Sequence, residues 1–282
     1  MSAILIADSG STKAEWCWVE GNKKKRFITP GLSPYFVSAP QMRQVFKEMV
    51  CPKIKNQVPG EIYFYGTGCG NPENVKMVKG ALKDVFSKSS IYVDHDLIGA
   101  ARALCGHQKG IACILGTGSN SCFFNGKKIV KNSPGLGYVL GDEGSGTYLG
   151  KKVLQYYLYN TFDPDLMDRF NAAYPLTAPE ILDAVYKKPH PNRFLAEFCK
   201  FLSENRGHYM VENIIEDGFN DFFFNHIYKY RESWTLPINF TGSVAYVFKD
   251  VLKELCHTYE LQLGKVIKAP MDGLINYHLG KL

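Results

Sequence analysis

One pattern occurs twice in this chain and restricts its fold more than any other feature. A short apolar strand (residues 4–7) runs into a turn of Ser, Gly, Ser and Thr (9–12). A second strand (15–20), the turn Gly21-Asn22 and a third strand (26–29) follow. About 105 residues later the order returns: a strand over 111–115, the turn Gly116-Thr117-Gly118-Ser119-Asn120, a strand over 121–124, Asn125-Gly126 and a strand over 128–131. The copies also close alike, in Pro30-Gly31-Leu32 and Pro134-Gly135-Leu136. Two copies of one three-stranded meander, rather than a solenoid array, predict an α/β chain of two related domains. The length of 282 residues agrees, at about 150 residues per domain.

Between the copies the spacing predicts a helix near 41–50, a strand over 61–65 and a helix near 73–87 with Val75, Val78, Leu82, Val85 and Phe86 on one face. A buried strand over 91–93 and a helix over 97–105 follow, completing the order βββαβαβα. From about 144 to 232 the pattern is mostly helical. The stripe of Val211, Ile214, Ile215, Phe219, Phe222 and Phe223 reads as core rather than as a cofactor box. A strand over 238–240 then meets Thr241-Gly242-Ser243 and a helix with apolar positions from 244 to 255.

Composition excludes several classes. With 45% hydrophobic and 21% charged residues the chain is not disordered. A net charge of +6, with its densest run at Lys23-Lys24-Lys25-Arg26 beside a hairpin turn, is too mild for a nucleic-acid protein. No apolar run approaches the roughly 20 residues needed to cross a bilayer, and no signal peptide is visible at the start. The eight scattered cysteines form no C-x-x-C pair and read as reduced core residues of a cytoplasmic protein. The expected partners are therefore small molecules, with neither nucleic acid nor membrane, and a homodimer is compatible.

Four segments end a short strand in small or acidic residues: Asp8-Ser-Gly-Ser-Thr-Lys13, Asp94-His-Asp96, Gly116-Thr-Gly-Ser-Asn120 and Thr241-Gly-Ser243. Small residues at a strand end let backbone N–H groups approach an anion closely, so such corners suit phosphates. None matches the P-loop pattern or a full dinucleotide-binding glycine fingerprint. Asp8 and Asp96 stand at strand ends, where ligands of α/β sheets collect. Asp8 suits a hydrated Mg²⁺, or an Asx turn. Asp96 suits a general base, or an N-cap shared with Asp94. Asp142 and Glu143, in Gly141-Asp-Glu-Gly-Ser-Gly146, equally suit the N-terminal end of a helix. His95, with no second histidine one turn away, makes a poor metal ligand.

With these residues in view, the sequence resembles the N-acetylglucosamine kinase branch of the actin, sugar-kinase and heat-shock-chaperone ATPase superfamily. The resemblance covers nearly the whole chain. It is most specific in Gly116-Thr-Gly-Ser-Asn120 followed by Gly135-Leu-Gly-Tyr-Val-Leu-Gly-Asp-Glu-Gly-Ser145. It implies two ribonuclease-H-like domains with a cleft between them: 1–106 joined by 271–282, and 107–270 with a helical insertion. It further implies an ATP-dependent amino-sugar kinase acting with Mg²⁺ at the 6-hydroxyl, and closure of the cleft with the loops 116–120 and 135–144 meeting across it.

By the same resemblance Asp96 is the base and Asp8 holds Mg²⁺ through water. Gly10, Ser11, Thr12, Lys13, Gly116 and Thr117 lie on the ATP phosphates, and Gly242 and Ser243 border the nucleotide. Ser119, Asn120, Gly135, Gly137 and Asp142 hold the sugar. Two departures touch the sugar side: Pro34-Tyr35 replaces an asparagine, and Leu136 replaces a tryptophan. N-acetylmuramate and glucosamine therefore stand beside N-acetylglucosamine as substrates. Two other classes compete, an ATPase that activates radical dehydratases through a cysteine-held iron–sulfur cluster, and a sugar- or nucleotide-binding regulator. The scattered cysteines and the intact Gly-Asp-Glu-Gly-Ser segment argue against the first. Retention of Asp8, Asp96 and Asp142, and a chain that starts at its first strand, argue against the second.

Overall fold

The computed structural model describes residues 3–281. The chain divides into two compact units. Unit 1 comprises Met1–Gln108, Gly126–Lys128 and Ala269–Leu282, and unit 2 comprises Lys109–Asn125 and Ile129–Lys268.

Unit 1 is built on β1 (Ile4–Ser9), β2 (Lys13–Glu20), β3 (Lys23–Pro30), β4 (Glu61–Gly66) and β5 (Ser90–His95), in the order β3-β2-β1-β4-β5. Antiparallel pairing of β1 with β2 and of β2 with β3 makes the meander. Parallel pairing of β1 with β4 and of β4 with β5 extends it. β1 is apolar on both faces because it lies mid-sheet between two helical layers. Its Leu5 and Ala7 join Trp16, Phe46, Phe64 and Leu82 on one face. On the other face, Ile6 joins Cys17, Val19, Tyr65 and Ala103, with Met271, Leu274 and Ile275 of the C-terminal helix Met271–His278. This alternation is the period-two pattern of a strand buried on both sides.

Unit 2 repeats the plan with β6 (Lys109–Leu115), β7 (Ser119–Asn125), β8 (Ile129–Ser133), β9 (Ile238–Thr241) and β10 (Leu263–Ile267), in the order β10-β9-β6-β7-β8. The duplication thus extends to all five strands: β6 is antiparallel to β7 and parallel to β9, as β1 is to β2 and β4. Helices from Gly137–Leu140 to Tyr209–Asn225 fill the chain between β8 and β9. The stripe from Val211 to Phe223 is buried as core.

The structure adds two details to the sequence reading. β10, an edge strand of half-buried residues, has no counterpart among the predicted elements. The helix expected over 97–105 begins one residue earlier, with His95 at the N-cap position and Asp96 as its first residue. Neither Asp94 nor Asp96 is therefore the N-cap.

Candidate active site

In unit 1 the site begins where β1 ends. The turn after Ser9 is closed by the Gly10 N–H donating to the Lys13 carbonyl at 3.0 Å. The 31–32 segment braces it, with Gly31 N–H donating to Thr12 O at 3.1 Å and Leu32 N–H donating to Ser9 Oγ at 3.0 Å. A Cβ on Gly31 would collide with the Gly10 and Ser11 backbone, so only glycine lets the segment approach this closely. Thr12 and Lys13 stay exposed at the tip.

Thr67, just past β4, ties this turn to Asp96. Its N–H donates to Ser9 O at 2.9 Å, and its hydroxyl donates to Asp96 Oδ2 at 2.5 Å. His95 Nε2 lies 3.2 Å from the other carboxylate oxygen. Asp8 stands across from Glu15 and Tyr65 in the strand register. Burial pushes its carboxyl up to about 7, with the Asp96 and Glu15 charges adding to the effect and Lys13 opposing it. A buried carboxyl with a second carboxylate near it suits work on a cation or a proton.

In unit 2 the corresponding turn follows β6. Gly116 N–H donates to Gly118 O at 3.0 Å, and Gly146 N–H donates to Gly116 O at 2.8 Å. Both the N–H (3.1 Å) and the hydroxyl (2.5 Å) of Thr147 donate to Thr117 O. The Gly146–Leu158 helix is thereby fixed against the loop. Gly242, at φ +126°, lies so close to Leu115 O and Gly116 N that a side chain there would collide with them.

The loop after β8 meets the same turn. Asp142 adopts the left-handed conformation (φ +58°) and accepts from the Ser119 N–H at 3.3 Å. A Cβ on Gly118 would sit 3.0 Å from its carboxylate, and one on Gly135 3.1 Å from Ser119 O. Burial raises the Asp142 carboxyl to about 6, the Ser119 N–H pulling it down and Glu143 pushing it further up. Asn120 Oδ1 accepts from Ser121 N–H and Asn132 Nδ2, each at 2.9 Å. The Ser119 hydroxyl is buried with no hydrogen-bond partner, as is that of Ser33 in unit 1.

The predicted residues thus gather into sets. Asp8 and residues 10–13 join Asp96 in unit 1, Gly116 and Thr117 join Gly242 in unit 2, and Ser119, Asn120 and Gly135 join Asp142. Gly137 (φ +75°) has open space around its Cα, and the Ser243 side chain is exposed. The loops 116–120 and 135–144 belong to the same unit and meet there, which corrects the expectation that they face each other across a cleft.

Sequence reasoning missed Thr67 and a buried chain behind the Asp142 loop. In that chain His226 lies 3.4 Å from Glu143 Oε2 and 3.2 Å from Ser121 Oγ, which bonds Tyr230 Oη at 2.8 Å. Lone polar residues inside apolar helical stretches carry no local signal of such partners. Among the described residues no group of three or more His, Cys, Asp and Glu is arranged to hold a metal ion. No helix among them is long and apolar enough to cross a membrane.

No family model and no curated protein matches the chain. A solved structure decides its family. A candidate N-acetylglucosamine kinase from Porphyromonas gingivalis is 40% identical, covering 98% of this chain and 99% of that one, with a TM-score of 0.94.

The chain belongs to the N-acetylglucosamine kinase family.

A second candidate N-acetylglucosamine kinase, from Chromobacterium violaceum, shares the family fold at 15% identity, with 98% and 99% coverage and a TM-score of 0.72. The ADP-bound MreB5 of Spiroplasma citri shows the same fold more distantly, at 10% identity, 99% and 95% coverage and a TM-score of 0.53. The two-sheet α/β architecture of this family member is therefore that of the actin-like ATPases.

Proposed function

We propose that the chain transfers the γ-phosphoryl group of ATP to the 6-hydroxyl of N-acetylglucosamine or a close relative. The observation that carries this reading is the Thr67 link, which fixes the Asp96 carboxylate to the turn after β1. A base held beside a phosphate-binding turn suits phosphoryl transfer, where positioning and electrostatics do most of the catalysis.

Asp96 accepts the proton of the attacking hydroxyl, whose oxygen bonds the γ-phosphorus as the bond to the ADP oxygen breaks. In unit 1 the turn at 10–13 suits phosphate through its backbone N–H groups and the Thr12 hydroxyl, and in unit 2 the turn at 116–117 does so with the Thr117 hydroxyl. Gly242 and Ser243 border the nucleoside. Asp142 accepts from sugar hydroxyls, and the unpartnered Ser119 hydroxyl, Asn120 and the backbone at Gly135 and Gly137 complete the sugar contacts. Asp8 fits a hydrated Mg²⁺, because its carboxylate lies among Asp96 and Glu15 and receives no hydrogen bond among the described residues. When bound, that ion neutralises phosphate charge. Eight free cysteines fit a reducing, cytoplasmic setting.

Coupled ADP release with Mg²⁺-ATP tests the reading over N-acetylglucosamine, N-acetylmuramate, glucosamine, N-acetylmannosamine and glucose. The expected result is sugar-dependent turnover that falls by roughly two orders of magnitude or more in Asp96→Asn. ATP hydrolysis indifferent to every sugar would overturn it. Tyr35 and Leu136, 66% and 56% exposed, stand where the family's sugar-side residues differ, and the panel reads their effect as substrate preference.

A further inference from the structure

On the open edge of the unit 1 sheet, beside β5, lies a cavity of about 420 Å³ that the proposed reaction does not use. Its lining includes Tyr63, Lys79, Tyr92, Asp94, Arg102 and His278. Three of these form a ring stack: His278 on Tyr63 with centroids 3.7 Å apart, and Tyr63 on Tyr92 at 5.0 Å and 11°. The stack ends at Tyr92, which is 51% exposed. A large aromatic held flat by the ring behind it, with its outer side in solvent, is built to receive one more ring.

The charges around it are unbalanced. Among the described residues neither Lys79 nor Arg102 forms an ion pair. Arg102 Nη1 donates to Tyr65 Oη at 2.8 Å, while its Nε is buried without an acceptor. The guanidinium is held over the Tyr65 and Tyr277 rings, at 5.6 and 5.4 Å from their centroids. Tyr65 Oη lies 2.8 Å from His278 Nε2. Burial, with the Arg102 charge adding to it, holds His278 down at about 4, so at neutral pH the ring that shares a hydrogen bond with the Tyr65 hydroxyl is uncharged. The one carboxylate in the lining, Asp94, accepts from its neighbour's N–H through Oδ1.

We infer that this cavity is a second ligand site, taking a phosphomonoester carried on a stacking ring. The phosphate lies between Lys79 and Arg102, the ring lies on Tyr92, and a hydroxyl of the ligand donates to Asp94. The ring can be a nucleobase or a sugar, and both meet the same three features. The size suits such a molecule. Because Asp94 and Arg102 flank the strand-to-helix turn that carries Asp96, a ligand held there also restrains the base.

The site is separate from the reaction centre and is tested without turnover. Hydrogen exchange and calorimetry follow addition of AMP, N-acetylglucosamine 6-phosphate or inorganic phosphate to protein already saturated with a non-hydrolysable ATP analogue and sugar. We expect added protection over 75–79 and 271–278 from one of the two phosphomonoesters, which identifies the source. Binding should be at least tenfold weaker in Lys79→Gln and in Tyr92→Ala, two exposed positions whose replacement leaves the core intact. Absence of protection with both, or binding indifferent to both substitutions, would overturn the site. Equal binding of inorganic phosphate would overturn the part given to Tyr92. The saturating step rests on the kinase reading, but Lys79 and Tyr92 lie outside the residues proposed for the reaction, so loss of binding in their variants separates failure of this site from failure of that reading.

Discussion

Asp96, the proposed base, is held by a threonine that sequence alone did not single out. Thr67 donates to Asp96 Oδ2 and so orients the carboxylate. A hydrogen bond to a charged group is worth about 1.5–3 kcal/mol. Thr67→Val should therefore lower kcat about tenfold or more with little change in sugar KM, and Thr67→Ser should restore most of it, as steady-state kinetics will show. Asp142 makes a pH prediction. Its carboxyl is raised to about 6, so above that pH it is ionised and, in its proposed role, can accept from a sugar hydroxyl, and below it the carboxyl is protonated. Sugar kcat/KM should fall as pH drops through about 6. The profile of Asp142→Asn, lower throughout, should lack that limb.

At the scale of elements, two helical glycines carry opposite expectations. Gly80 in the Pro72–Val85 helix is exposed, with open space where a Cβ would stand, so Gly80→Ala should stabilise by about 1 kcal/mol through helix propensity. Gly150 in the Gly146–Leu158 helix passes against the Pro191–Glu197 helix, where a Cβ would collide with the Leu195 carbonyl. Gly150→Ala should instead destabilise by about 1–3 kcal/mol, because overpacking outweighs the propensity gain. Urea midpoints of the two variants measure both signs. Most elements were legible because their signals are short-range: alternation in β1, the 3.6-residue period in the Tyr209–Asn225 helix, and glycine turns between strands. β10 was not, since Leu263, Gly264, Val266 and Ile267 are only half-buried on an edge and show neither a clean alternation nor a full apolar run.

At the scale of the whole molecule, the C-terminal helix belongs to the first unit. Met271, Leu274 and Ile275 are fully buried against Ile6, Cys17 and Val19, and Gly273 sits against the Ala103 backbone. Deleting 271–282 removes one wall of that core, and unit 1 should lose its cooperative thermal transition in calorimetry. His278 adds a pH dependence to the same contact. Its folded pKa of about 4 lies below the ordinary 6.5, so between those values the unfolded chain takes up a proton that the folded chain does not. Stability is lost as pH falls through that window. The loss should be smaller in His278→Gln, measured as Tm at pH 7 and pH 5.

The amino-acid sequence by itself determined the duplicated meander, the small-residue corners and the carboxylates at strand ends, because each is written in neighbouring residues. It also placed Asp8 at the end of β1 and Asp96 just past β5, two strands that the sheet then set on either side of β4. Only tertiary structure decided which distant groups meet: Thr67 on Asp96, His226 between Glu143 and Ser121, and Tyr65 on His278, 213 positions away. The physical reason is that local pattern sets which face of an element is buried and where the chain turns. Strand order and register set which side chains share the space beyond, and no window of neighbouring residues contains that information.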